Sequence, residues 1–351
     1  MTTPHHNSLV EATPPTLDEV AAAAGVSRST ASRALNGGLR VSPAAQASVD
    51  AAAKLLGYLP NRAARSLVTR RTDSIALVIP EPDERVLSDP FIGATLRGIS
   101  AALASTDQQL VLLLARPDED GGRIAKYLRS GYVDGAVIVS HHRQDGLEEA
   151  VLGSRIPAVF VGRPFHDEDL LHYIDVDSVA GGRLATEYLL NLGRRRIAHI
   201  AGPQDMTAGN DRAQGWRDAL REANLADDLI AQGNFTKSTA YQAMNDLLRQ
   251  DPTIDAVFVA SDLMAEGALT ALREHGRSVP DDVAVIGFDD LGGAANTSPT
   301  LTTVRNPVVE MATSAVEQLL HLLSKNAAPR ETPIPLVFFP QLVIRNSTPG
   351  N

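Results

Sequence analysis

Eight apolar segments of strand length, in two successive groups of four, constrain the fold of this chain most strongly. The first group reads SIALVIP, QLVLLLA, VDGAVIV and PAVFV. After a break near LLHYIDVDS, the second reads RRIAHIAG, a weaker stretch around DLIAQGN, IDAVFVA and DVAVIGF. Continuous apolar strands that alternate with helices are typical of parallel sheets covered on both faces. We therefore predict two similar α/β subdomains, with a ligand cleft at the carboxyl edges of their strands.

The motifs of nucleotide-dependent and hydrolytic enzymes are missing from this region. No G-x-G-x-x-G follows the first strand, and neither G-x-x-x-x-G-K-[ST], G-x-S-x-G nor H-E-x-x-H occurs in the sequence. The sequence contains no cysteine, which excludes thiolate metal sites. We interpret the adjacent His141 and His142 as part of a solvated loop rather than as metal ligands. These observations predict a protein with no metal, no cofactor and no enzymatic activity.

Charge is divided unevenly along the chain. Residues 1–71 carry a net charge of +4, whereas the remaining 280 residues carry −14. When a basic segment precedes an acidic remainder, the basic segment is typically the one that contacts an anionic polymer. Residues 1–15 lack the basic start and the apolar centre of a secretory signal. We expect them to be a disordered leader. No run of 18 apolar residues occurs, so we expect a cytoplasmic protein without membrane contact.

The basic segment is predicted to form three short helices. The first begins at the capping box TLDE (16–19) and ends before Gly25, the second is capped by Ser27, and the third begins at SP (42–43). Two short helices joined by a glycine-containing turn indicate a helix-turn-helix. The second helix carries Arg28 and Arg33 on its outward side, and the arginine fork fits the O6/N7 pair of guanine in the major groove. A small surface bundle with solvated arginines is the alternative interpretation.

Two segments, TLDEVAAAAGVSRSTASRALNG and VSPAAQASVDAAAKLLGYLPNRAARSL, resemble the headpiece and hinge of the lactose-repressor (LacI/GalR) family nearly residue by residue. The resemblance implies a DNA-binding headpiece at residues 16–59. It also implies a hinge helix at residues 60–71, which folds on operator DNA and wedges Leu67 into the minor groove, bending the duplex.

The same resemblance assigns contacts with DNA. The implied base-reading residues are Arg28, Ser29 and Arg33. The implied backbone-positioning residues are Ser27, Thr30, Ser32 and Asn36, and the other candidate contacts are Thr16, Tyr58, Asn61, Arg62, Ala64 and Arg65.

The resemblance continues through NLGRRRIAHIAGP, NDRAQGWRDAL, DAVFVASDLMAEGALTAL, VPDDVAVIGFDD and SPTLTTVRNP, and so covers almost the whole chain. It implies that residues 72–351 form an effector-binding and dimerisation core, similar to a periplasmic sugar-binding protein. The expected N-subdomain comprises about residues 72–173 and 305–331, and the expected C-subdomain about residues 174–304 and 332–346.

The effector residues implied by the resemblance are Phe91, Arg212, Phe235, Ser261, Asp262 and Asp289. An arginine in this place forks onto ligand oxygens, and the aspartate after the strand GFD accepts hydrogen bonds from ligand hydroxyl or N–H groups. The two phenylalanines are expected to pack on the flat face of the ligand or within the core. Asp262 is expected either to contact the ligand or to cap a helix.

The sequence departs from the family pattern in two places. FVGRPF puts Arg163 where lactose-type members have an aspartate, so we expect Arg163 to face an acidic or phosphorylated ligand or to lie outside the cleft. The sequence ends at LVIRNSTPGN without leucine heptads, which favours a homodimer over a tetramer. A dimer implies a palindromic operator, bent at its centre.

Together these inferences predict a DNA-binding transcriptional regulator, a repressor, associated with the nucleoid. Its operator affinity is expected to change when a sugar or sugar derivative binds between the subdomains. The same residues are compatible with a nucleobase or nucleoside effector, or with a protein corepressor. The pattern of two α/β subdomains is also compatible with a sugar-metabolising enzyme that carries an accessory DNA-binding head, or with a solute-binding protein.

Overall fold

The computed structural model describes residues 14–36, 41–59, 71–114, 122–154, 156–324 and 332–349. The chain divides into two compact units, Met1–Thr72 and Asp73–Asn351. The helices are α1 (Leu17–Ala24), α2 (Arg28–Leu35), α3 (Pro43–Leu56), α4 (Asp83–Ser88), α5 (Pro90–Leu103), α6 (Gly122–Arg129), α7 (Leu147–Leu152), α8 (Ser178–Asn191), α9 (Thr207–Glu222), α10 (Lys237–Gln250), α11 (Asp262–Glu274) and α12 (Val308–Ser324). The strands are β1 (Ser74–Ile79), β2 (Gln109–Leu114), β3 (Gly135–Val139), β4 (Ala158–Val161), β5 (His172–Val176), β6 (Ile197–Ala201), β7 (Ile230–Gln232), β8 (Ala256–Val259), β9 (Ala284–Asp289), β10 (Thr302–Arg305), β11 (Leu336–Phe338) and β12 (Gln341–Val343).

The first unit is a three-helix headpiece whose helix limits agree with the sequence. The Thr16–Glu19 capping box is formed, Ser27 caps α2, and Gly25 ends α1 with a positive φ of 66°. The buried core is small, and its members are Val20, Ala21, Ala31, Ala34, Val49, Ala52 and Ala53. Because most of these side chains are alanines, the three helices approach closely and leave the polar side of α2 free of core packing.

The second unit contains two six-stranded sheets, which confirms the predicted pair of α/β subdomains. The order in the first sheet is β11-β5-β4-β3-β1-β2, and its described pairings are all parallel. The order in the second is β12-β10-β9-β8-β6-β7, with β12 as an antiparallel edge strand. Every residue of β3, β4, β6, β8 and β9 is buried, as expected for strands with helices on both faces.

The subdomain boundaries differ from those expected. The segment HYIDV, interpreted as a break, is strand β5 of the first sheet, so the N-subdomain extends to Val176 rather than to residue 173. Strand β11 also belongs to the first sheet, because it pairs with β5, whereas residues 332–346 were expected in the C-subdomain. The chain returns from the C-subdomain after β10, since α12 packs on β3, β4 and β5. Three chain crossings therefore connect the subdomains.

In the part of the chain that the structure describes, no helix has both the length and the apolar character needed to cross a lipid bilayer.

Candidate functional site

A cavity that is partly open to solvent lies between the two subdomains, and its empty space, with the open solvent at its mouth included, is about 660 Å³. Residues at the carboxyl ends of strands from both sheets form its walls. Parallel sheets bind ligands at this edge because loops and helix N-termini converge there.

Arg212 is the central cation of the C-subdomain wall. It lies on α9, whose close approach to α8 depends on Gly182: a Cβ there would lie 2.2 Å from the backbone oxygen of Arg212. The side chain is only 6% exposed; Nη1 donates to the Ala260 carbonyl oxygen at 2.6 Å, and Nη2 lies 3.7 Å from Asp289 Oδ1. The guanidinium carbon lies 3.6 Å from the centroid of the Phe288 ring. Burial lowers the pKa of Arg212, and the negative charges of Asp289 and Asp175 oppose this change.

Asp289 is the matching acceptor, at the end of β9. Its backbone φ is 117°, a value that non-glycine residues adopt only when their surroundings hold them there. Asn306 Nδ2 donates to Asp289 Oδ1 at 3.2 Å. Burial raises the pKa of Asp289 to about 6, and the Arg212 charge partly opposes this rise.

Asp262 does not line the cavity, so it does not have the ligand-contacting role that was one of its two expected roles. Its Oδ2 accepts from the backbone N–H of Asp290 at 2.8 Å, and its Oδ1 accepts from Thr303 Oγ1 at 2.6 Å. It is not the helix cap either, because Ser261 occupies that position and accepts from the Met264 N–H at 3.2 Å. Asp262 therefore supports the turn that presents Asp289, while Ser261 lines the cavity.

Two phenyl rings line the cavity, Phe91 at the start of α5 and Phe235 after β7. The ring of Phe235 lies 5.0 Å from the guanidinium carbon of Arg85 and 5.9 Å from that of Arg212. Aromatic faces next to polar side chains are the combination that packs on a sugar ring while its hydroxyls are hydrogen-bonded.

The N-subdomain wall contains a second arginine–aspartate pair, Arg85 and Asp89. Arg85 Nη1 donates to Glu81 Oε1 at 2.5 Å, and Arg85 Nε lies 3.5 Å from Asp89 Oδ2. Ser140, at the end of β3, donates to the same Glu81 oxygen at 2.6 Å. Burial raises the pKa of Asp89, and the nearby Arg85 charge opposes that rise.

His141 and His142 do not form the solvated loop expected from the sequence. His141 lines the cavity and is 4% exposed, and burial lowers its pKa to about 4, so its ring is neutral at pH 7. His142 Nδ1 lies 2.8 Å from Asp205 Oδ2 of the C-subdomain, and its Nε2 lies 3.2 Å from Glu81 Oε1. The two rings face different partners because successive residues after a strand point in different directions.

Arg163 is not among the residues that line the cavity. Of its two expected positions, facing an acidic or phosphorylated ligand or lying outside the cleft, the structure shows the second. Its Nη2 donates to both oxygens of Asp211 on α9, each at 2.8 Å. A further contact, between Nη1 and Glu168, measures 3.7 Å. Thr207 donates to the Arg163 carbonyl oxygen at 2.7 Å. Arg163 therefore connects the N-subdomain to the C-subdomain beside the cavity.

Unpartnered polar atoms concentrate at this cavity. Ten buried side-chain nitrogen or oxygen atoms of the described residues have no hydrogen-bond partner, and five belong to cavity-lining residues. These five atoms are Arg85 Nε, His141 Nδ1, Ser178 Oγ, Arg212 Nε and Asn306 Oδ1. Buried polar groups without partners are costly and rare. These atoms are fully buried, and it is the charged and hydroxyl side chains lining the cavity, such as Arg85, Ser140 and Asp289, that suit a ligand rich in hydrogen-bonding groups.

The headpiece presents a separate polar surface on α2. Arg28, Ser29 and Arg33 are exposed, and Ser27, which caps the helix, is exposed beside them. Arg33 Nε donates to the Ser29 carbonyl oxygen at 3.2 Å, which directs the guanidinium along the helix surface. Short polar side chains and arginines at the start of a second helix are the arrangement that contacts base edges and phosphates in a helix-turn-helix.

Comparison with known proteins agrees with both sites. Residues 16–61 match the sequence family of bacterial regulatory proteins, lacI family, and residues 186–348 match a periplasmic binding protein-like domain. The chain is 43% identical over 336 residues to the HTH-type transcriptional regulator CelR of Thermobifida fusca, covering 95% of this chain and 98% of that relative. The chain belongs to the lacI family of bacterial regulatory proteins.

Other members and their structures extend this result. The lacI-family chain is 35% identical over 316 residues to the ribose operon repressor of Escherichia coli strain K12, covering 88% of this chain and 93% of that repressor. It resembles the solved structure of a transcriptional regulator CelR–cellobiose complex, with a TM-score of 0.75, 41% identity and coverage of 95% and 99%. It also resembles the lac repressor dimer bound to operator and the anti-inducer ONPF, with a TM-score of 0.83, 25% identity and coverage of 96% and 99%. The protein is a DNA-binding transcriptional regulator.

The structure brings together five of the seven effector candidates of this lacI-family regulator, which are Phe91, Arg212, Phe235, Ser261 and Asp289. The hinge candidates Asn61, Arg62, Ala64, Arg65 and Leu67 lie outside the described residues, as do residues 1–13 of the expected leader. Thr16 is exposed and engaged in its capping box, and Tyr58 packs against the headpiece core.

Sequence reasoning missed most of the N-subdomain wall. Arg85, Asp89, Ser140 and Asp175 line the cavity, and none of them was a candidate. One signal was present: Ser140 directly follows an apolar strand, so its position at the carboxyl edge could have been inferred. Desolvation at this wall raises the pKa of Asp175 to about 7.

Proposed function

We propose that this protein is a homodimeric repressor whose affinity for a palindromic operator is set by a β-linked glucose disaccharide of the cellobiose type. The observation that carries the proposal is the set of charged and hydroxyl side chains that line the cavity, among them Arg85, Asp89, Ser140, Arg212 and Asp289. A sugar supplies many hydroxyl groups, each able to donate and to accept, and so satisfies such a set.

The choice of disaccharide rests on the relative that binds one. The CelR–cellobiose complex shares 41% identity with this chain over 95% of its length. The polar groups that line the cavity include an arginine and an aspartate on each wall, together with two phenyl rings. This composition provides paired donors and acceptors for vicinal hydroxyls and flat apolar surfaces for the sugar faces.

Coupling to DNA follows from the position of the cavity. A ligand that contacts both walls favours one relative arrangement of the subdomains, and it shifts operator affinity by its difference in affinity for the two arrangements. In a dimer, two α2 helices contact successive half-sites, and two hinge segments carry Leu67 into the minor groove between them. The protein acts in the cytoplasm on the nucleoid, and we expect no turnover of the bound sugar.

The proposal is tested by thermal stability and DNA binding of the purified protein. Cellobiose, ribose, galactose, adenosine and guanine are compared, and a ligand at 100 times its Kd is expected to add about 2.7 kcal/mol to the free energy of unfolding. Fluorescence anisotropy with a duplex selected from a randomised palindromic library then measures operator affinity with and without the stabilising ligand.

We expect cellobiose to stabilise the protein and to change operator affinity, and the sign of the change distinguishes an inducer from a corepressor. Stabilisation by adenosine or guanine alone would replace the sugar by a purine effector. A stabilising sugar that leaves operator affinity unchanged would contradict the coupling.

A further inference from the structure

We propose that His142 is a proton-dependent latch between the subdomains: its imidazolium joins Glu81 of the N-subdomain to Asp205 of the C-subdomain and strengthens effector binding at lower pH. His142 is not among the residues that line the cavity, so the latch acts on the arrangement of the subdomains and not on the ligand. Its effect on affinity rests on the proposed sugar effector, whereas its effect on the subdomains does not.

The latch lies away from the places where the chain crosses between the subdomains. His142 follows β3, and Asp205 follows β6; their loops touch, because the Arg143 N–H donates to the Asp205 carbonyl oxygen at 2.8 Å. The crossings leave from β5, β10 and β11, each the first or second strand of its sheet, whereas β3 is the fourth strand and β6 the fifth. A contact on this side must break when the subdomains open about their crossings.

Both ring nitrogens of His142 face a carboxylate. Nδ1 lies 2.8 Å from Asp205 Oδ2, and Nε2 lies 3.2 Å from Glu81 Oε1. A carboxylate only accepts hydrogen bonds, and a neutral imidazole has a single N–H. The two contacts are therefore hydrogen bonds at the same time only when the ring carries a proton on each nitrogen. Loss of one proton leaves a nitrogen lone pair facing a carboxylate oxygen, and one of the two bonds is lost.

The surroundings of His142 favour its charged form. The charged and titratable side chains around it are Glu81 and Arg85 on one side, Asp205 on the other, and His141, Arg143 and Asp145 in its own loop. Burial lowers the pKa of His142, but the hydrogen bonds and negative charges of Glu81 and Asp205 outweigh burial, so its pKa is raised. Glu81 stays beside His142 when the subdomains separate, and only the contribution of Asp205 depends on closure.

The raised pKa fixes the direction of the pH effect. Opening takes Asp205 away and lets the pKa of His142 fall, so the closed arrangement holds the proton more firmly than the open one. The stabilisation of the closed arrangement is complete below the ordinary pKa of 6.5 and is lost as pH rises through the raised value. A ligand that contacts both walls therefore gains affinity from His142 at lower pH.

The first test needs no ligand. The full-length protein is labelled with ¹³C in its histidine rings, the signal of His142 is assigned by its loss in His142→Gln, and its pKa is measured by nuclear magnetic resonance. We expect Asp205→Asn to lower this pKa, although Asp205 belongs to the other subdomain. Asp246→Asn is the matched control and should leave it unchanged, because Asp246 is an exposed carboxylate of the C-subdomain that pairs with Arg249 on its own helix.

The second test measures affinity by isothermal titration calorimetry, for cellobiose and for phenyl β-glucoside, whose second ring carries no hydroxyl groups. We expect His142→Gln to weaken both ligands equally, by roughly threefold to fivefold at pH 6.5, the upper range for a contact between partly exposed groups. The loss should disappear near pH 8.5, where the ring of the unaltered protein is neutral. His275→Gln is the matched control and should keep both affinities, because His275 is exposed and bonds Asn245 within the C-subdomain.

Three results would overturn the latch while leaving a sugar effector intact. They are a pKa of His142 that is the same in Asp205→Asn as in the unaltered protein, affinities that His142→Gln does not change, and a loss confined to one of the two ligands, which would make His142 a ligand contact. If the unaltered protein binds neither ligand, the sugar effector fails, and the nuclear magnetic resonance titration still decides whether the proton joins the subdomains.

Discussion

The two walls of the cavity present the same kind of charged pair on supports of different construction. In the C-subdomain, Arg212 lies in the 16-residue helix α9, and Asp289 ends β9, which has a neighbouring strand on each side. In the N-subdomain, Arg85 lies in the six-residue helix α4, and Asp89 occupies the junction between α4 and α5. Long, packed elements fix side chains more firmly than short helices and junctions.

This difference suggests a division of roles between the walls. We propose that the C-subdomain wall binds the part of the effector that different sugars share. Its side chains are held in fixed positions, because Asp262 and Asn306 both stabilise the environment of Asp289. The N-subdomain wall depends on a few local contacts around Glu81, so its chemistry can change without disturbing a sheet. We therefore expect variants of the C-subdomain wall to weaken binding of every sugar ligand, and variants of the N-subdomain wall to change which sugar is preferred.

The largest effect is expected for Arg212→Met. The substitution removes a buried charge that faces Asp289 and leaves that carboxylate without its cation. The loss of hydrogen bonds from a charged group to ligand hydroxyls costs roughly 2 kcal/mol, which corresponds to a loss of effector affinity of roughly 30-fold. Calorimetry with cellobiose measures the loss, and both cellobiose and phenyl β-glucoside should be affected.

Arg221→Met is the control for this variant, since Arg221 is an exposed arginine on the same helix that pairs with Asp227. It should keep the affinity of the unaltered protein. A selective loss of cellobiose in Arg212→Met, with phenyl β-glucoside unchanged, would reverse the roles assigned to the two walls.

The C-subdomain wall could be predicted from the sequence because its residues sit at the ends of clear elements. Asp289 ends the apolar strand AVIGFD, and Ser261 follows the apolar strand AVFV with one residue, Ala260, between them. In a parallel sheet such positions converge at one edge, so strand periodicity locates them without knowledge of long-range contacts. The lacI-family resemblance added Arg212, whose place in the middle of a helix carries no such signal.

The N-subdomain wall and its boundaries could not be predicted in the same way. The segment EPDERVLSDP has no apolar period, so nothing in it distinguishes Arg85 from a solvated arginine. Strand β5 was missed because His172 and Asp175 interrupt its apolar run. The position of β11 depends on pairing with β5, about 160 residues earlier, which local sequence does not encode. Arg163 was an ambiguous candidate because its partner, Asp211, belongs to the other subdomain.

The second largest effect is expected from pH acting on Asp289. Its pKa of about 6 lies above the ordinary value of 3.8, so between these values the folded protein holds a proton that the unfolded chain releases. The contribution of Asp289 to stability is therefore greatest below the unfolded pKa and is lost as pH rises through about 6. Effector binding has the opposite pH dependence. Sugar hydroxyls donate hydrogen bonds to the ionised carboxylate, so binding is favoured at higher pH. We expect cellobiose affinity to be about tenfold weaker at pH 5 than at pH 7.

Asp289→Asn separates this group from its neighbours. The variant should bind cellobiose more weakly at pH 7 and should lack the part of the pH dependence centred near 6. Asp175 also lines the cavity and its pKa is about 7, so any pH dependence that it contributes should persist in the variant. Calorimetric titrations at several pH values measure both curves. Identical pH profiles for the variant and the unaltered protein would mean that the effector does not contact the Asp289 carboxylate.

The smallest effect is expected at Arg163, which joins the two walls without lining the cavity. Its side chain is 35% exposed, and such ion pairs contribute about 0 to 1 kcal/mol, so Arg163→Gln should weaken cellobiose binding by at most about fivefold. Asp211→Asn should have a similar effect, and the double variant should lose no more than either single one, because all three changes remove the same contact between the subdomains. Calorimetry on this cycle measures the coupling. A loss in Arg163→Gln as large as that in Arg212→Met would show that Arg163 contacts the effector itself, and the binding site would then extend beyond the residues that line the cavity.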